Sequence, residues 1–156
     1  MSLKDIAGRY VATVGENAPL TEASRLMYER HVGCLVVVNQ YGGKRLPTGI
    51  VTDRDLALAI GHSPNLEHLS VKHVMAPHPV VAFEEDGVFE TMETMRKNGI
   101  KRMPIVDAGG SLVGIVSADD LLSLLSDEFA KLSRISEVQV RREEEFLPPF
   151  NSPIRL

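Results

Sequence analysis

The chain has 156 residues, 44% hydrophobic and 24% charged, which suits one compact domain with a buried core and is too short for a large multidomain enzyme. Seventeen Lys and Arg against 21 Asp and Glu leave a net charge of −4, so no global positive field exists to draw nucleic acid or an anionic membrane, and any anion site must be local. No apolar run exceeds the five residues of 34–38, far short of the roughly 20 residues of a membrane span, and the first twenty residues hold no signal-peptide core; the expected location is the cytoplasm.

Residues 1–3 could belong to an expression remnant and carry no reading. The periodicity predicts a short strand at residues 11–14, then a helix with the apolar stripe Ala23, Leu26 and Met27. Two β-rich runs, residues 34–38 and 46–52, close as a hairpin over a Gly-Gly pair, and a second helix begins near Asp53. Cys34 leads the first of these runs and reads as a buried small hydrophobe, since a single cysteine can form neither an internal disulfide nor a cysteine-rich zinc site. Residues 61–71 are a polar linker, and residues 74–79 carry the chain onward. A strand at 80–83, a helix with the stripe Val88, Met92 and Met95, and a hairpin of residues 103–107 and 112–117 repeat the order, with another helix from near Ala118. Pro104 cannot donate to a ladder and is expected at a sheet edge or among its strand's first residues. The last helix runs on through Leu121, Leu122, Leu125, Phe129 and Leu132. Glu143, Glu144 and Glu145 with Pro148 and Pro149 end it, so beyond about Glu145 an extended or disordered tail is expected, with docking on a partner as the alternative.

The order recurs because the chain is an internal repeat. Met27 lies 68 residues before Met95, and at that offset Val32 matches Ile100, Leu35 matches Met103, Val37 matches Ile105 and Val38 matches Val106. From Gly49-Ile-Val-Thr-Asp-Arg-Asp-Leu56 over Gly114-Ile-Val-Ser-Ala-Asp-Asp-Leu121 the offset is 65, the difference falling in the hairpin loops, where length changes are tolerated. The expected architecture is α/β (α+β): two β-α-β-β-α repeats packed about a pseudo-twofold axis, because neither small sheet has enough helix to cover both faces. The divisions are residues 5–62 for the first repeat, 63–79 for a linker, 80–127 for the second repeat, and 128–156 for a helical extension and tail.

These two octapeptides, the linker Val74-Met-Ala-Pro77 and the strand Ile100-Lys-Arg-Met-Pro-Ile-Val-Asp107 resemble a tandem pair of cystathionine β-synthase (CBS) domains, a Bateman module, over roughly residues 5–127. The resemblance implies a regulatory module that binds adenosine-containing ligands such as AMP, ADP, ATP or S-adenosylmethionine and controls an enzyme, channel or transporter. No such domain is attached within these residues, so the chain is similar to stand-alone CBS pairs whose target protein is reached in trans. The resemblance also implies a homodimer, as do the helix stripes that one pair of repeats cannot fully cover.

Thr52-Asp-Arg-Asp55 and Ser117-Ala-Asp-Asp120 each stand where a strand becomes a helix. Each fits a capping box, in which the hydroxyl caps the helix and the acid three residues on folds back. Each also fits an anion site at a helix N-terminus, with the hydroxyl as a donor. A carboxylate beside a phosphate would be repelled, so Asp55 and Asp120 are expected to accept from ribose hydroxyls, as the family resemblance implies. Lys101 and Arg102 are either solvated edge charges or phosphate contacts at the cleft mouth. By the resemblance, Met103 and Pro104 line the adenine slot. The first repeat departs here, with Gly33 and Cys34 in place of Lys101 and Arg102 and Val36 in place of Pro104, while Arg54 could supply a charge. His31, His62, His68, His73 and His78 lack metal-site spacing and read as linker and surface residues. Neither a nucleophile elbow nor a phosphate-binding loop is present, which argues against an enzyme. Two alternatives to the sensor remain. One is a structural or interaction module with empty clefts, and the other is a small nucleotide-processing enzyme using Asp53 or Asp119 as a base.

Overall fold

A computed structural model describes residues 1–6, 8 and 10–146 of the chain. The tail expected beyond Glu145 lies, from residue 147 on, outside the described residues. The chain divides into a unit of residues 1–118, which carries both sheets, and a unit from Asp119 on, which carries all but the first residue of the last helix.

In the first repeat, β1 (Thr13–Gly15) leads to α2 (Leu20–Arg30) and back to β2 (Cys34–Tyr41), parallel to β1. The preceding helical turn, Leu3–Ile6, is α1. β2 turns through Gly42 and Gly43, both at positive φ (57° and 77°), into antiparallel β3 (Lys44–Thr52). α3 (Asp53–His62) follows directly. Apolar positions at helical spacing on α2 (Leu20, Ala23, Met27) meet Leu35, Val37 and Val51 from the sheet and Leu56 from α3 in one core. The second repeat runs β5 (Ala82–Phe83), α5 (Val88–Asn98), β6 (Arg102–Val106), β7 (Leu112–Ser117) and α6 (Ala118–Phe146). Both hairpins carry a register shift at the same repeat position, between Val37 and Val38 and between Ile105 and Val106. The hairpins meet near their turns: Lys44 Nζ donates to Gly109 O at 2.9 Å and Arg45 N–H to Ser111 Oγ at 3.2 Å.

Pro104 departs from expectation. It is the third residue of β6, the central strand of the sheet β5-β6-β7, and pairs with Ile115. Its missing N–H is tolerated because β5 does not reach that level: β5 pairs only with Ile105 and Val106. At the equivalent place in the first repeat, Val36 N–H donates to Ala12 O at 3.0 Å and β1 pairs one residue further. The proline trades one ladder bond for a shorter neighbouring strand.

The segment read as a linker is structured. Residues 71–74 form the short helix α4, and Ala76–Pro77 form β4, which extends the first sheet beside β3. Val71 N–H and Lys72 N–H donate to Ala18 O and Glu16 O, both at 2.9 Å. Residues 2–6 and Gly8 do the same for the second repeat: Leu3 N–H and Lys4 N–H donate to Asp86 O and Glu84 O at 3.0 and 2.9 Å, and Gly8 bridges Ile115 as Ala76 pairs Ile50. Leu3 and Val71 are both fully buried. Ser2-Leu3-Lys4 and Ser70-Val71-Lys72 lie at the repeat offset of 68, a signal present in the sequence but short and weak in residue type. Each lead-in segment thus closes the repeat that does not follow it.

Candidate functional site

Each predicted tetrad stands at a strand-to-helix junction pinned by one backbone bond. Asp53 N–H donates to Gly33 O at 3.1 Å, and Ala118 N–H donates to Lys101 O at 2.9 Å. Because Cys34 pairs with Thr52 and Arg102 with Ser117, the sheet register sets each hydroxyl beside the start of the repeat's central strand. A Cβ on Gly33 would lie 2.9 Å from the Asp53 carboxylate, so the first turn of α3 packs close over that glycine.

At the first junction the capping box forms. Asp55 N–H donates to Thr52 Oγ1 at 3.3 Å, Thr52 N–H donates to Asp55 Oδ2 at 2.8 Å, and the Thr52 hydroxyl donates to the same oxygen at 2.8 Å. The hydroxyl proton is therefore committed to the carboxylate, not aimed at an anion. Asp55 is half-buried, and its Oδ1 has no hydrogen-bond partner among the described residues. Cap and ribose acceptor are compatible roles, since one oxygen holds the helix start and the other retains its acceptor capacity. Arg54, in the same first turn, is exposed.

Burial raises the Cys34 thiol above its ordinary pKa; the carboxylates of Asp55 and Asp53 push the same way, and Arg102 opposes them. Cys34 and Arg102 occupy equivalent repeat positions, and the arginine of the second repeat is felt at the start of the first repeat's central strand. The structure therefore brings basic Arg102 and the acidic tetrad of the other repeat into one electrostatic neighbourhood, which one repeat's sequence read alone does not reveal. Arg102 is half-buried and Lys101 exposed. Met103 and Pro104 are buried in the sheet, so neither presents surface to solvent. Ser117 is half-buried at the end of β7, and Asp120 is exposed in the first turn of α6.

Of the histidines, His73 accepts Ser70 N–H at 3.0 Å and holds the start of α4 as Asp5 holds that of α1, where Ser2 N–H reaches Asp5 Oδ2 at 2.9 Å. Among the described residues, no cluster of three or more His, Cys, Asp or Glu is arranged to hold a metal. Nor, among them, is any helix long and apolar enough to cross a membrane. A cavity of about 630 Å³ near the hairpin turns, lined by Glu16, Leu46, Thr48, His78, Phe83 and Val106 among others, includes none of the predicted residues.

A family model for the CBS domain matches residues 3–62 and 71–127, the two matches opening at the buried Leu3 and Val71. The chain belongs to the CBS domain family, as a tandem pair. It is 35% identical over 126 residues to an uncharacterised protein of Methanopyrus kandleri, covering 80% of this chain and 62% of that one. To the CBS domain-containing protein YhcV of Bacillus subtilis it is 35% identical over 130 residues, covering 83% of this chain and 89% of that one. The CBS domain pair of protein MJ0100, solved in complex with 5′-methylthioadenosine and S-adenosyl-L-methionine, matches at a TM-score of 0.72 and 26% identity, over 82% of this chain and 98% of that one. Two sheets and a C-terminal helix are thus the CBS-pair fold in this chain.

Proposed function

We propose that this CBS pair is a non-enzymatic sensor that binds an adenosine-containing ligand (AMP, ADP, ATP or S-adenosylmethionine) and signals its occupancy to a target protein in trans. The observation that carries the reading is the Asp55 carboxylate, whose Oδ2 is held by the cap while Oδ1 bonds to no described residue, in a chain related to a pair solved with two adenosine compounds. Asp55 and, by repeat equivalence, Asp120 accept from ribose hydroxyls, with Thr52 and Ser117 as their positioning residues. Arg102, Lys101 and Arg54 meet phosphates, and Met103 and Pro104 back the adenine slot from within the sheet. A charged acceptor to a ribose hydroxyl contributes roughly 1.5–3 kcal/mol per bond and selects ribonucleotides over deoxyribonucleotides. Self-association as a homodimer belongs to the same proposal, supported by Tyr28, Phe89 and Ile60, which are 81%, 71% and 64% exposed on α2, α5 and α3.

The completed cap at Thr52 favours a second reading, a structural module whose tetrads only start helices. A titration across AMP, ADP, ATP, NAD and S-adenosylmethionine, read by melting temperature and by light scattering in the same samples, separates the two. At a hundredfold excess over its dissociation constant the ligand stabilises the fold by about 2.7 kcal/mol. The ribonucleotide should raise the transition more than its deoxy form, and Asp55→Ala should reduce the gain. No shift with any adenosine compound at millimolar concentration would leave the structural module standing.

A further inference from the structure

Every residue from 129 to 146 of α6 is exposed, including Phe129, Ile135 and Phe146 at 69%, 62% and 82%. A helix in water draws most of its stability from packing its apolar face, so this one needs a partner. Leu124, Glu128, Ile135, Arg142 and Phe146 follow one another at intervals of four, seven, seven and four residues. At 100° per residue those intervals keep all five within an arc of about 40° over about 33 Å of helix. The distal part of the row, with Val138 and Gln139, lines a shallow groove of about 440 Å³ along this face.

The row is symmetric about Ile135 in kind and antisymmetric in charge: apolar, acidic, apolar, basic, apolar. A parallel second helix would set Glu128 against Glu128 and Arg142 against Arg142. An antiparallel second copy, on a twofold axis through Ile135, sets Glu128 against Arg142 twice and Leu124 against Phe146 twice. Leu132 then faces Val138, and Lys131, which pairs with Glu128 in its own helix, faces the uncharged Gln139. We infer that α6 is a self-recognition surface that pairs antiparallel with the α6 of a second copy of this chain, in the register centred on Ile135. This is independent of ligand binding and of any contact through α2 and α5.

Cysteine cross-linking of the full-length chain tests the register, with the wild type, whose Cys34 is buried, as the control. Under mild oxidation Ile135→Cys should form a covalent dimer, Phe146→Cys alone should not, and Leu124→Cys combined with Phe146→Cys should. Failure of Ile135→Cys to link, or self-linking of Phe146→Cys, would overturn the proposal, the latter in favour of a parallel pair. Charge exchange in the Ile135→Cys background supplies a second readout at exposed or half-exposed positions. Glu128→Arg and Arg142→Glu should each suppress the Ile135→Cys cross-link, and the double exchange should restore it. A cross-link unmoved by either change, or not restored by both, would equally sink the antiparallel register.

Discussion

Cys34 shows how one side chain reports its surroundings. It begins β2, is 9% exposed, and its thiol is held neutral by burial, with the Asp55 and Asp53 carboxylates acting in the same direction. Ionising it in the fold is unfavourable, so its folded pKa lies above the unfolded one and the unfolded chain releases its proton first. Stability should therefore be flat below the unfolded cysteine pKa and fall as pH rises through it toward the folded value. Denaturant midpoints of the wild type and Cys34→Ala between pH 7 and pH 10 check this: only the wild type should lose this component, and parallel curves would contradict it. Labelling by a maleimide at pH 8 should likewise be slow until the chain unfolds. The reading of Cys34 as a small core hydrophobe needed only its apolar neighbours in the sequence. Its closeness to Arg102 needed the fold.

At the scale of elements, helices and hairpins were legible because each is a local pattern. The stripes of α2 and α5 repeat at three and four residues, and the starts of α3 and α6 were visible in Thr52 and Ser117 with an acid three residues on. The lead-in segments were not legible, since α1 and α4 are four residues long and β4 is two, too short for periodicity to register. Their stability comes from bonds to turns far away in sequence. Leu3 is fully buried although it stands at the third residue of the chain, so Leu3→Ala should destabilise by about 2–5 kcal/mol, the range for a large core side chain cut to alanine. A denaturation midpoint within error of the wild type would show that α1 is not docked in solution. Pro104 taught the complementary lesson: its tolerance depends on where β5 stops, which no property of β6 states.

For the whole molecule, the repeat decides what shares a site. Arg102 from the second repeat acts at Cys34, beside the acidic tetrad of the first, so under the proposed function the phosphate and ribose contacts would come from different repeats. Arg102→Ala should weaken ADP or ATP tenfold or more while changing adenosine little, because a guanidinium grips two phosphate oxygens and adenosine has none. Added salt should weaken the wild type's affinity for ATP and leave adenosine nearly unaffected. Calorimetry on the variant decides, and equal losses for adenosine and ATP would remove the side chain from the phosphates.

The duplicated β-α-β-β-α unit, the hairpins, the helix starts and the residue types at the tetrads were all readable from the residues, because alternation, helical periodicity, glycine turns and caps act over a few neighbouring residues. The repeat offset of 68 then carried the pattern from one half to the other. It took the packed fold to show that the lead-in segments are exchanged between repeats, that a proline can occupy a central strand, and that Arg102 stands near Cys34. Each of these depends on which distant backbone or charge lies close by, a proximity set by the packing of the two repeats and invisible in any window of residues.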